Sequence, residues 1–337
     1  MVSYKTVQQS NARISSVLPQ GFVALFIGAT SGIGQSTLQH FVQNAPPSPR
    51  IYTVARPQSV GSHETLLDSL RQSSPTANIS LIKADVSLVA EVDKIVQEIT
   101  QKESKLDLLV MSSGFMAFEG RKDTSEGLEP SMSTRYYSRQ RAVEQLLPLL
   151  KNASAPRVLT VLAGGLEREL NVNDLDVKDP RNWHFMTSSS HATTMHTLSL
   201  EHMAQDNPEL SILHWFPGSV STPGLARAAK FGLSPPNQMS QVESGARGLF
   251  LATNDRYGVR SGLVPTPQGL NAAQKSGGGI FLVDPLGETT DNEHVLSAMR
   301  NEGVNKLVWD FTQRTFNRIA GSKGTSGNGG SSSKDEL

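Results

Sequence analysis

Apolar residues along this chain come in short unbroken blocks separated by longer stretches in which they recur every three or four positions. Residues 22–27, "FVALFI", form the first block, opening directly into the glycine-rich "GATSGIG" and then the amphipathic "QSTLQHFV". That succession predicts a buried strand, a tight turn and a helix. Further strands are predicted at residues 51–54, 79–85, 106–111, 157–163, 210–216 and 279–284. Between them, Val92, Ile95, Val96 and Ile99 share one helical face, Ala142, Val143, Leu146 and Leu150 stripe a helix over about 133–150, and another helix is predicted over about 191–204. Strands alternating with helices predict an α/β fold: one Rossmann-type doubly wound parallel sheet with helices on both faces. The pattern divides the chain into an extension over 1–20, one domain over 21–320 and a Gly/Ser tail over 321–337.

Composition narrows the chemistry. The 31 basic and 31 acidic side chains cancel, which gives no electrostatic drive toward nucleic acid or an anionic membrane and favours a small-molecule substrate. With no cysteine among the 337 residues, disulfides, zinc–thiolate sites and thiol nucleophiles are excluded. No metal site is expected. No run approaches the ~20 apolar residues of a membrane span, and the polar start reads as cytoplasmic. The closing Lys-Asp-Glu-Leu, residues 334–337, is the endoplasmic-reticulum retrieval signal and gives the alternative location.

The glycine-rich turn carries the first functional expectation. Gly28, Thr30, Ser31, Gly32, Ile33 and Gly34 stand between a buried strand and a helix, where small residues let backbone N–H groups and the positive helix end meet a pyrophosphate. The bland alternative is a turn serving only strand–helix packing. Arg56, ending the second strand, stands where an acidic residue would hold a ribose 2′-hydroxyl. An arginine suits a 2′-phosphate instead, so NADP is the expected cofactor, against the alternative of a solvated loop arginine. Asp85 and Val86 close the third strand, as an adenine contact or as a helix N-cap.

In these features the chain resembles the short-chain dehydrogenase/reductase family over about residues 21–218. The turn "IGATSGIG" carries isoleucine where the family has threonine, Asp85–Val86 match its Asp–Val, and "MSSG" ending at Gly114 replaces Asn-Asn-Ala-Gly. Pro217–Gly218 match the family's nicotinamide loop. The resemblance implies an Asn/Ser/Tyr/Lys tetrad, whose positions fall at Arg135, Ala163, Phe185 and Ser189. No lysine lies between Lys178 and Lys230 and no tyrosine between Tyr137 and Tyr257, so a shift of register restores neither. This is a divergent member lacking the Ser/Tyr/Lys residues.

The replacement candidates are Tyr137, His184 and Arg135. Arg135 and Arg139 lie one turn apart, and His184 and His191 flank the altered segment. An arginine can hold an oxyanion and a histidine can move a proton near neutral pH. Against them stand a capping role for His184 and packing roles for the tyrosines. His214, inside a strand, reads as a buried, hydrogen-bonded histidine. The Gly/Pro/apolar stretch after Gly218, with Leu225, Phe231 and Leu233, reads as a lid over a bulky apolar carbonyl or alcohol of secondary-metabolite type. The alternatives are a non-redox isomerase or cyclase, or an inactive NADP-binding protein. A homo-oligomer is the family's common state, and the 183–204 helix belongs to one of its interfaces.

Overall fold

A computed structural model describes residues 1–325: residues 321–325, expected to begin the tail, continue the last helix, and the retrieval signal at 334–337 lies outside the described residues. The chain opens with helices α1 (Tyr4–Asn11) and α2 (Ile14–Val17) and then alternates β1 (Val23–Ile27), α3 (Gly32–Asn44), β2 (Arg50–Ala55), α4 (Val60–Ser73), β3 (Asn78–Lys83), α5 (Val89–Lys102) and β4 (Leu108–Met111). Next come α6 (Pro130–Met132), a π-turn (Ser133–Tyr137), α7 (Ser138–Lys151), β5 (Arg157–Val161), α8 (Phe185–Asp206) and β6 (Ser211–Trp215). The remainder is α9 (Pro223–Ala228), α10 (Gln241–Thr253), β7 (Phe281–Val283), β8 (Thr289–Thr290), α11 (Glu293–Asn301) and α12 (Val304–Thr325).

The eight strands run in the order β3-β2-β1-β4-β5-β6-β7-β8. All neighbours are parallel except β7 and β8, so a two-residue antiparallel edge closes the expected parallel sheet. Continuous apolar strands follow from burial on both faces: Val23, Leu25 and Ile27 of β1 point into one core, Ala24 and Phe26 into the other. The first core is covered by α5, α7, α8, α11 and α12, the second by α3, α4 and α10.

Residues 1–20 are folded onto the domain. Val7, Ile14 and Leu18 are buried in the second core, and the Asn11 amide donates to the Ala246 carbonyl at 2.8 Å. At the other end α12 packs on α8 and α5, with Val308, Phe316 and Ile319 buried. The Tyr136 hydroxyl meets Thr312 Oγ1 at 2.5 Å, tying α12 to the π-turn.

Strand order reverses beside β1, which leaves a crevice at the carboxyl ends of β1 and β4. Two glycines make it possible. Gly28 has φ +96°, and a Cβ there would lie 2.2 Å from the Ser113 amide nitrogen. A Cβ on Gly34 would lie 2.4 Å from the Gly28 carbonyl oxygen, so this glycine lets α3 press against the turn and does not border the crevice. Gly34→Val is therefore expected to destabilise the fold itself, by roughly 3 kcal/mol, with any nucleotide site lost as a consequence. Thermal unfolding checks this: a Tm equal to that of the parent protein would place the contact elsewhere.

Candidate active site

The crevice encloses about 620 Å³ and is bordered by Gly28, Thr30, Ser31, Gly32 and Ile33 of the turn, Arg56 after β2, Asp85 and Val86 after β3, and Gly114 after β4. Most of the expected nucleotide residues are thus brought to one wall. Ser31 is the N-cap of α3 but its side chain makes no capping bond, so the first-turn N–H groups are left for an external acceptor. Arg56 shares its end of the crevice with Ser59, just before α4, and Ser62 in the first turn of that helix, and forms no ion pair among the described residues. Its Nε lies 3.4 Å from Ser59 Oγ. One Asp85 oxygen accepts from the Ser87 amide at 3.0 Å, closing the turn that leads to α5. Pro217 and Gly218 do not border the crevice: Gly218, at φ +71°, turns the chain past Pro285. The lid residue that reaches the glycine turn is Thr222, whose Cγ2 lies 3.5 Å from where a Gly32 Cβ would stand.

A second, apolar chamber of about 370 Å³ adjoins the crevice, and Phe115, Pro130, Gly224 and Arg227 border both. Its other walls include Met116, Phe118, Glu129, Ala228 and Phe231. Phe231, from the expected lid, stacks on Phe118 with ring centres 4.5 Å apart, and Phe118 packs on Phe185 at 4.6 Å. Leu225 and Leu233 are not part of this wall.

Of the four positions expected for the missing tetrad, Arg135 meets Ser189 and Phe185, and none of the four borders the crevice or the chamber. Arg135 Nη1 donates to Ser189 Oγ at 2.9 Å, and its guanidinium carbon lies 5.9 Å from the Phe185 ring centre. Ala163 and Ser189 border a third recess of about 350 Å³. Arg135 has no carboxylate partner within 4.0 Å among the described residues. Burial pulls its pKa down to about 10, partly offset by the more distant Glu129, and leaves it charged at neutral pH.

The other candidates stand elsewhere. The π-turn inserts an extra residue before α7 and turns both tyrosines into the core, each fully buried. The Tyr137 hydroxyl donates to Asp176 Oδ1 at 3.0 Å, and burial together with that carboxylate drives its pKa well above the phenol range. A phenol so held does not reach the cleft. His184 is an exposed N-cap, Nδ1 accepting from the Met186 amide at 3.2 Å, and it borders none of the three hollows. His191 ties α8 to the preceding loop, bonding Leu175 O and the Asn171 amide. His214 is the buried, satisfied histidine expected: Thr197 Oγ1 donates to Glu167, so His214 Nδ1–H donates to Thr197 and Nε2 accepts from Ala163 N. Burial lowers its pKa to about 3, which keeps it neutral.

The residues missed in sequence are those of the chamber, above all residues 115–122 and Glu129. The apolar cluster "FMAF" after Gly114 was the available signal.

Comparison with known proteins agrees with the fold and the turn. Residues 22–167 match the family model described as short chain dehydrogenase. The chain is 61% identical over its whole length, and over the whole of the relative, to the NmrA-like family domain-containing oxidoreductase notO of Aspergillus sp. (strain MF297-2). It is 30% identical to the short-chain dehydrogenase/reductase SAT2 of Stachybotrys chartarum, across 90% of this chain and 94% of that one. Among solved structures, a short-chain dehydrogenase from Sphingobium yanoikuyae in complex with NADPH superposes with a TM-score of 0.52 over 74% of this chain and 89% of that one, at 18% identity. The chain belongs to the short-chain dehydrogenase/reductase family of oxidoreductases.

Tyr137→Phe is expected to cost about 1.5–3 kcal/mol of stability, because it removes a buried hydrogen bond to a charged carboxylate. It should leave nucleotide binding unaltered. Chemical denaturation and a binding titration on the same variant separate the two, and a large loss of affinity at unchanged stability would put this tyrosine at the site after all.

Proposed function

We propose that the chain is an NADP-dependent oxidoreductase acting on a bulky, apolar carbonyl or alcohol of secondary-metabolite type. The observation that carries this reading is the shared wall between a polar crevice and an apolar chamber, at Phe115, Pro130, Gly224 and Arg227. A nucleotide held in the crevice would have the greasy pocket beside it to take a substrate.

The residues present fit the cofactor. The uncapped first turn of α3 offers N–H groups to the pyrophosphate, and Arg56 with Ser59 and Ser62 offers a cation and two hydroxyls to the 2′-phosphate. Asp85 and Val86 stand for the adenine, and Ser112 to Gly114 border the end nearer the chamber. When bound, the reduced cofactor supplies the hydride. The chain's own residues hold the substrate between Phe115, Phe118 and Phe231; Arg135 borders none of the three hollows and lies behind this wall, 5.9 Å from the ring centre of Phe185, which packs on Phe118. A guanidinium without a carboxylate partner stabilises negative charge developing on a carbonyl oxygen. Arg135, behind the Phe118–Phe185 pair, supplies this positive charge to the site.

Arg56→Ala should remove most of the preference for reduced NADP over reduced NAD, a ten- to hundredfold change in the ratio of dissociation constants. Fluorescence titration with both nucleotides measures it. An unchanged ratio would assign the 2′-phosphate to other residues.

A further inference from the structure

A carbonyl reduction needs a proton as well as a hydride, and neither Phe185, expected at the family's proton-donating tyrosine, nor Ser189, expected at its lysine, ionises near neutrality. The chamber walls hold two carboxyl groups, Glu119 and Glu129. Glu119 stands at the mouth, its side chain 75% exposed and paired with Lys122. Glu129 is 3% exposed, in the wall beside Pro130, one of the four residues shared with the crevice.

Its surroundings suit an acid that exchanges a proton. Oε2 accepts from the Met132 amide at 2.8 Å and caps α6, which fixes the side chain. No cation stands within 4.0 Å of Glu129 among the described residues. The groups that act on it are Arg121, engaged by Asp123 and Asp176, and Arg135, with Lys122, Glu119 and Arg227 farther round the chamber. Burial raises the Glu129 pKa, and the capping amides and the two arginines oppose that shift without cancelling it.

We propose that Glu129 is the acid–base catalyst of this site, giving its carboxyl proton to the substrate oxygen in reduction and taking it back in oxidation. This rests on the oxidoreductase reading above. In the reducing direction the hydride adds to the carbonyl carbon and the nicotinamide is oxidised. The carbonyl π pair moves to oxygen, which takes the proton from Glu129, leaving an alcohol and a carboxylate. Water entering past Glu119 and Lys122 reprotonates the carboxylate.

The test compares the parent protein with Glu129→Gln and Glu129→Asp. Glutamine keeps an oxygen to cap α6 but carries no exchangeable acid, so the fold is retained and a matching Tm verifies it. With reduced NADP and 2-decanone, 9,10-phenanthrenequinone and a 3-ketosteroid as probes, Glu129→Gln is expected to lose about a hundredfold or more in kcat with the nucleotide Kd unchanged. Reduction by the parent requires the protonated form, so its kcat falls as pH rises through the Glu129 pKa. That descent should vanish in the glutamine variant and persist in the aspartate one. Independently of turnover, infrared difference titration of the apoprotein should show protonated-carboxyl absorption at a pH where exposed glutamates are ionised, smaller by one component in Glu129→Gln, while the buried Glu201 and Asp176, also raised, keep their share. Parent-like kcat and pH profile in Glu129→Gln would overturn the proposal alone and leave Glu129 a helix cap. Failure of the parent to bind or oxidise reduced NADP would overturn the oxidoreductase reading, and this acid role with it.

Discussion

The geometry of the cleft depends on one buried cation. Arg139, 2% exposed, has no carboxylate partner among the described residues, yet its guanidinium is satisfied on all sides. It donates to the Ser113 carbonyl after β4, to Thr160 Oγ1 and the Val161 carbonyl at the end of β5, and to the Thr134 carbonyl in the π-turn. A charge in the interior is tolerated when oxygens surround it, and removing any of them leaves several kcal/mol uncompensated. Burial and the like charge of Arg135 lower its pKa to about 9, which still leaves it a cation at neutral pH. One side chain thereby pins two strand ends and the start of α7, and these three segments border the crevice, the chamber and the recess.

With those ends fixed, the division of the cleft follows from residue type. The turn side is glycine, serine, threonine and an unpaired arginine, which suits phosphate. The lid side is mostly phenylalanine, methionine and alanine, with Glu119, Lys122, Glu129 and Arg227 among them, which suits a hydrocarbon that carries a polar group. The aromatic contacts join three separate segments, Phe118 after β4, Phe185 at the start of α8 and Phe231 after α9. Phe231, from the lid stretch, is thus part of the chamber wall. Phe185 packs against Phe118 in this aromatic cluster, and Ser189 serves as the acceptor for Arg135.

The strands and the glycine turn were legible because their signals are local: β1 reads as an unbroken apolar run since both of its faces are covered, and Gly28 to Gly34 lie within one turn of each other. Arg56, Asp85 and Gly114 were legible because strand ends in such a sheet converge on one edge. Gly34 was placed correctly but for the wrong reason, since its contact is with its own turn. Tyr137 misled because the π-turn changes where each side chain of residues 133–137 points, and no periodicity announces an inserted residue. His184 was marked by its neighbours and proved to be a cap. Glu129, in "GLEPSM", reads as a helix cap and is one; its second position, in the chamber wall, arises from contacts with segments far along the chain. Helices α10 and α12 were passed over because Gly245 and Gly248 in one, and the many polar residues of the other, weaken their apolar stripes.

The central claim is that hydride passes from a nucleotide in the crevice to a substrate in the chamber. Reduced NADP carrying deuterium at the transferable C4 position, incubated with the protein and a ketone, tests it by mass spectrometry of the product. The account predicts an alcohol with one deuterium on the former carbonyl carbon, delivered with a single stereochemistry at C4. Tight nucleotide binding with no label in any product would contradict it, and would make the cleft a binding site in which no reduction takes place.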